Sequence, residues 1–123
     1  MTKNDFLSEL AQLGISLNEK QIKELETYAK FLLEYNEHTN LTAITNIEDV
    51  YLKHFYDSLT IIKEIDLTKV DTILDIGTGA GFPGMVLKIC YPNLNVTLLD
   101  SNNKKLAFLE SLKNKLNLEV TLI

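Results

Sequence analysis

Arginine and tryptophan are absent from this 123-residue sequence, cysteine occurs once and proline twice. With no arginine, all 12 basic residues are lysine. The planar fork that grips phosphate or guanine through two parallel hydrogen bonds is therefore lacking, which argues against tight, autonomous RNA binding. The lone Cys90 rules out an internal disulfide and a cysteine zinc cluster, and it reads as a small core residue. No apolar run approaches the roughly 20 residues of a membrane span. The N-terminus, with Asp5 and Glu9, has no basic region followed by an apolar run, so a cytoplasmic location is expected. No repeat, low-complexity tract or metal-ligand cluster occurs, and no metal is expected.

What is present suits one packed domain: 46% hydrophobic and 24% charged residues, in a chain long enough to bury a core. The net charge of −5 lies wholly in residues 1–70, with 7 Lys against 12 Asp and Glu, while 71–123 balances at 5 against 5. A broad basic footprint for nucleic acid is missing.

The pattern changes near residue 70, dividing the chain into an N-terminal helical cap region (1–70) and an α/β region (71–123). Ile22, Leu25, Tyr28, Ala29, Leu32 and Leu33 recur at helical spacing within 19–36, and Asn18 with Gln21 forms a capping box. A shorter helix is predicted over 4–13, closed by Gly14. A third runs from 46 to about 64 with Val50, His54, Phe55, Leu59, Ile62 and Ile65 inward. The intervening loop, His38 to Thr42, is rich in locally hydrogen-bonding side chains. After residue 70, strands at 72–76, 96–99 and 120–123 alternate with helices, the first ending at Cys90 or Tyr91 and the second spanning 103–116. Pro83 is placed in the first turn of the former. This rhythm implies parallel βαβ units in a Rossmann-like sheet. The sheet is partial: the first strand should be central, and only the strands to one side of it are encoded. The sequence thus reads as the incomplete front part of a longer protein.

The run Leu74-Asp75-Ile76-Gly77-Thr78-Gly79-Ala80-Gly81-Phe82-Pro83-Gly84 is the strongest local signal. A glycine turn between strand and helix lets a ligand approach bare backbone. Asp100, 21 positions beyond Gly79, matches the offset at which an acid meets a ribose. Gly79-x-Gly81-x-x-Gly84 formally fits the dinucleotide fingerprint. Asp75 separates the ligands: its carboxylate opposes a pyrophosphate and favours the sulfonium and ammonium of S-adenosylmethionine. A turn-capping role for Asp75 is the structural alternative. The phosphate loop of nucleotide hydrolases is excluded, because no Gly-Lys-Ser/Thr follows.

Asn40-Leu41-Thr42-Ala43, Lys53-His54-Phe55-x-Asp57-Ser58-Leu59, the glycine run and Thr97-Leu98-Leu99-Asp100-Ser101 together resemble the small-subunit ribosomal RNA guanine-N7 methyltransferase family, also called glucose-inhibited division protein B. The resemblance covers about residues 20–123. It implies a class I S-adenosylmethionine-dependent methyltransferase fold, and transfer of a methyl group to guanine N7 in 16S ribosomal RNA of the small ribosomal subunit. It also implies a monomeric, cytoplasmic protein with no metal or membrane partner. Asp75, Gly77, Gly79, Gly81, Phe82, Asp100 and Ser101 would bind the cofactor. Family members continue well beyond this endpoint, with further cofactor contacts and a basic residue on the RNA side, so methyl transfer by these 123 residues alone is not expected. At Asn103-Lys104-Lys105 lysine stands where the family often has arginine, which weakens a stacking role.

No catalytic triad is visible and no catalytic side chain is assigned. N7 carries a lone pair and no proton, so alignment can suffice without a general base. His54 and Asp57 fall on one helix face and could hydrogen-bond each other, as structural groups or in support of the cofactor turn or target base. Asn40 is a further substrate-side candidate. Phe82 could face the sulfonium or wedge helix against sheet. Tyr28, Phe31 and Tyr35 read as core, and His38, Lys104 and Lys105 as solvated. Two other classes stay open: a nicotinamide-dependent oxidoreductase, and a non-catalytic remnant whose helical front binds protein.

Overall fold

The structure is a computed structural model that describes residues 1–123. Helix α1 (Lys3–Gln12) opens on a capping box, in which Asp5 N donates to Thr2 Oγ1 at 3.1 Å and Thr2 N to Asp5 Oδ2 at 3.2 Å. It closes at Gly14, whose φ of +81° turns the chain so that Ile15 N reaches Leu10 O at 2.8 Å. Helix α2 (Glu19–Asn36) begins with the expected box, Gln21 N to Asn18 Oδ1 at 2.8 Å and Asn18 N to Gln21 Oε1 at 2.9 Å. Leu25, Tyr28, Ala29 and Leu32 form its buried stripe.

The third helix departs from the sequence reading. It is a continuous coil of unequal pitch: α3 (Ile47–Asp49), a π-helical stretch (Val50–Tyr56), α4 (Asp57–Leu59) and a 3₁₀ turn (Thr60–Lys63). Within it the Asp57 N–H bonds the Leu52 carbonyl five residues back. Such widened turns shift side chains off the 3.6-residue period. Tyr51, four residues before Phe55 and on the same face, is buried with Val50, Phe55 and Leu59. Ile65, expected inward, lies past the 3₁₀ turn and is exposed.

Strands β1 (Thr72–Ile76), β2 (Asn95–Leu99) and β3 (Thr121–Leu122) form a parallel sheet in that order, joined by α5 (Gly84–Cys90) and α6 (Asn103–Leu116). Pro83 stands one residue before α5, and its carbonyl accepts from Leu87 N at 3.0 Å. Both crossover helices contact α2, so they cover the same face of the sheet. Val96 and Leu98 are buried against that face. Leu74 and Ile76, one register step away on β1, are 56% and 70% exposed on the other, as is Ile123 at 61%. β1 is thus an outer strand with a bare apolar face, whereas parallel sheets are ordinarily covered on both.

One cluster of 26 buried residues runs from Phe6 to Val120 and unites the helices with the sheet. Gln21 reinforces the junction, donating from Nε2 to the carbonyls of Ile89 (3.1 Å) and Cys90 (3.3 Å) at the end of α5. Burial, with the nearby Glu24 carboxylate, pushes the Cys90 thiol up to about 12, so it remains a neutral core group.

Candidate functional site

The turn after β1 is built from three left-handed glycines, Gly77 (φ +71°), Gly79 (φ +60°) and Gly81 (φ +101°). A Cβ on Gly77 or Gly79 would have no heavy atom within 4 Å. Glycine is needed there for backbone angle, and the space above both residues is open. Gly77 N and Thr78 N bond the Leu99 carbonyl at 2.8 and 3.1 Å, which places the turn at the carboxyl end of β2. In open α/β sheets this crevice is where ligands bind.

Two carboxylates hold the turn. Asp75 Oδ2 accepts from Thr78 Oγ1 at 2.6 Å and from Gly84 N, the first residue of α5, at 2.9 Å. Its turn-capping role is therefore real, and it leaves Oδ1 with no hydrogen-bond partner in the chain. The same geometry bears on ligand choice. A dinucleotide's pyrophosphate would seek the amino end of this helix, and an aspartate already occupies it. Asp100 Oδ2 accepts from Gly79 N at 2.9 Å, and Oδ1 from Asn102 N at 2.8 Å. These two backbone bonds, the Asn102 one foremost, hold its carboxyl below the usual carboxylate range. Each oxygen still has a free lone pair for a hydroxyl donor. Ser101 beside it is exposed and makes no hydrogen bond within the chain.

The helical region braces the turn from behind. Tyr28 is fully buried and donates from its hydroxyl to the Ala80 carbonyl at 2.5 Å. Burial first, and the Asp75 carboxylate second, push the phenol well above its ordinary value, so it stays a donor. Phe82 stacks parallel with Tyr28 (5.4 Å between centroids) and with His54 (4.1 Å). Wedging the turn against the helices is the role its contacts display.

His54 does not bond Asp57 as its spacing suggested. Its Nε2 pairs with Thr42 Oγ1 at 2.8 Å, because the π-helical stretch turns the ring towards the 38–42 loop and Phe82. Burial lowers its pKa, partly opposed by the Asp57 carboxylate. Asp57 is exposed and forms no ion pair or side-chain hydrogen bond. Asn40 is exposed too, and the loop is held by Asn36, a residue the sequence did not single out. Asn36 Oδ1 accepts from Leu41 N (2.8 Å) and Thr42 N (3.1 Å), while Nδ2 donates to Thr42 O (3.0 Å). A terminal helix asparagine is an ordinary surface residue by pattern, so only the fold revealed this clamp. Tyr28 and Thr78 were also hidden as turn-bracing groups, since their spacing signals core and turn alone.

No group of three or more His, Cys, Asp or Glu side chains could hold a metal ion, and no helix is long and apolar enough to cross a membrane.

A parallel βαβαβ sheet, with a bare glycine turn at its carboxyl end and an aspartate after β2, forms part of an α/β fold of the class I methyltransferase kind. The chain belongs to the rRNA small subunit methyltransferase G family (GidB), whose model matches residues 21–123. It is similar to proteins named ribosomal RNA small subunit methyltransferase G from Bacillus velezensis (52% identical over 98% of this chain), Bacillus subtilis (50% over 98%) and Lysinibacillus sphaericus (49% over 97%). It spans about half the length of these relatives, 51%, 51% and 50% respectively.

Proposed function

We propose that this chain supplies the cofactor-binding part of a cytoplasmic methyltransferase that uses S-adenosylmethionine to methylate guanine N7 in 16S ribosomal RNA. The observation that carries the cofactor choice is Asp75 at the amino end of α5: its anionic Oδ2 holds Gly84 N, where a pyrophosphate would otherwise sit. A cofactor without phosphate and with two cationic groups meets no such conflict. Gly77, Gly79 and Gly81 would offer backbone to it, Phe82 would back the turn, and Asp100, beside Ser101, would receive the ribose hydroxyls. When bound, the cofactor supplies an electrophilic methyl group. Guanine N7 presents a lone pair and no proton, so these residues have only to orient the partners and exclude competing geometries. The names of the relatives support the ribosomal RNA target.

The test is amide NMR of the chain titrated with S-adenosylmethionine and, separately, with nicotinamide adenine dinucleotide. Shifts centred on Gly77, Gly79, Gly81, Asp100 and Ser101 with the first ligand alone are expected. A matching response to the dinucleotide would establish the oxidoreductase reading instead. A well-dispersed spectrum indifferent to both would favour the protein-binding remnant.

A further inference from the structure

Three rings lie parallel behind the glycine turn. Phe82, which follows Gly81, is held between Tyr28 (2° between planes) and His54 (4°). The two supports are anchored differently. Tyr28 belongs to the core, is fully buried and grips the turn a second time through the Ala80 carbonyl. His54 is half-buried, and its ring is tied by a single hydrogen bond, the one between Nε2 and Thr42 Oγ1 at 2.8 Å. That oxygen already accepts from Ile44 N at 3.2 Å, which leaves the threonine O–H to donate to a neutral ring, the form that burial favours. It is also the one hydrogen bond between the 38–42 loop and the coil over 47–63. Asn36 fixes the loop on its other side. A continuous path of contacts runs from Asn36 through Thr42, His54 and Phe82 to Gly81.

We propose that this path couples the 38–42 loop to the glycine turn through His54, a positioning residue, so that S-adenosylmethionine at the turn and order in the loop strengthen each other. The inference rests on the cofactor reading above and adds a means of regulating that site. Three glycines at positive φ make the turn costly to order, because glycine loses more backbone freedom on folding than any other residue. A ring pressed on each face of Phe82 restricts that freedom in advance, and a ligand then binds a turn already in place. The Tyr28 side cannot relax without opening the core. The His54 side can, because it depends on one bond to a surface loop whose Asn40 is exposed. Linkage makes the effect reciprocal: a ligand that holds the turn steadies the loop by the same factor by which an ordered loop tightens the ligand. What distinguishes such a path from mere proximity is energetic coupling between its members.

The experiment measures S-adenosylmethionine affinity by calorimetry, and amide exchange at Leu41 and Thr42 by NMR, in the 123-residue chain and its variants. In the unaltered chain, saturating S-adenosylmethionine should slow exchange at both amides about fivefold, a coupling of ordinary size between two sites. His54→Phe keeps a ring beside Phe82 but lacks Nε2, and Thr42→Val lacks the hydroxyl. Each should weaken S-adenosylmethionine binding about fivefold, as expected for one lost hydrogen bond. The double variant should bind no more weakly than either, and Thr42→Ser, which restores the hydroxyl, should match the unaltered chain. Losses that multiply in the double variant overturn the proposal, as does a Thr42→Ser affinity as low as that of Thr42→Val. Exchange at Leu41 and Thr42 indifferent to S-adenosylmethionine in the unaltered chain overturns it as well, without recourse to any variant. If S-adenosylmethionine does not bind the unaltered chain, the cofactor reading fails and the coupling with it; if it binds and the loop does not respond, only the present proposal fails.

Discussion

One added methyl group at Gly81 tests how tightly the helical region governs the glycine turn. A Cβ there would meet Tyr28 Oη at 2.5 Å, Met85 Cβ at 2.9 Å and Leu109 Cδ2 at 3.1 Å, on a residue whose φ is +101°. The backbone angle costs an L-residue about 1–2 kcal/mol, and overpacking a buried site adds about 1–3 kcal/mol. Gly81→Ala should therefore destabilise the chain by about 2–5 kcal/mol, a large share of the roughly 5–15 kcal/mol that holds a domain together. Tyr28→Phe removes the hydroxyl that causes the closest contact. Alone it should cost about 1–3 kcal/mol, because the Ala80 carbonyl accepts no backbone hydrogen bond and would lose its partner. In the double variant the hydroxyl clash is gone, and Gly81→Ala should cost about 1 kcal/mol less than in the parent, a coupling within the range seen for touching residues. Urea unfolding of the four proteins, followed by circular dichroism, measures each quantity. A penalty under about 1 kcal/mol for Gly81→Ala, or one identical in both backgrounds, would refute the contact between α2 and the turn as the limiting constraint.

Three further outcomes follow from the same geometry. Asn36→Ala should cost about 2 kcal/mol and raise amide exchange at Leu41 and Thr42, since one side chain satisfies both N–H groups and a carbonyl; unchanged exchange would contradict the clamp. Burial depresses the His54 pKa below its ordinary 6.5. The unfolded chain then binds the proton more readily than the folded one, so His54's contribution to stability is present above pH 6.5 and lost as pH falls through the folded value. His54→Phe should flatten that part of a stability-against-pH curve. For Asp100, also depressed, the contribution is present above its ordinary 3.8 and declines below it; Asp100→Asn should weaken S-adenosylmethionine binding while leaving the far-UV spectrum unchanged. A calorimetric titration showing equal affinity would remove Asp100 from the site.

Local chemistry was enough to determine the strands, most helices and the glycine turn. Asn18 and Gln21 cap α2 because the motif is closed within four residues, and β1 and α6 match their expected bounds because apolar runs and periodicity are local signals. The glycines and Asp100 were legible for the same reason: positive φ and the 21-residue offset are carried by residue type and spacing. The helix at 47–63 was legible as a helix but not in its pitch, since the π-helical stretch answers to the packing of Tyr51 and Phe55 beneath Phe6, Tyr28 and Phe82. Only the tertiary structure decided that Asp75 caps α5, that His54 turns to Thr42 and Phe82, and that Tyr28 reaches Ala80 across 52 positions. These bonds join residues whose proximity arises when separate elements pack. Spacing along one helix or turn fixes which side chains share a face, but the neighbouring element supplies their partners.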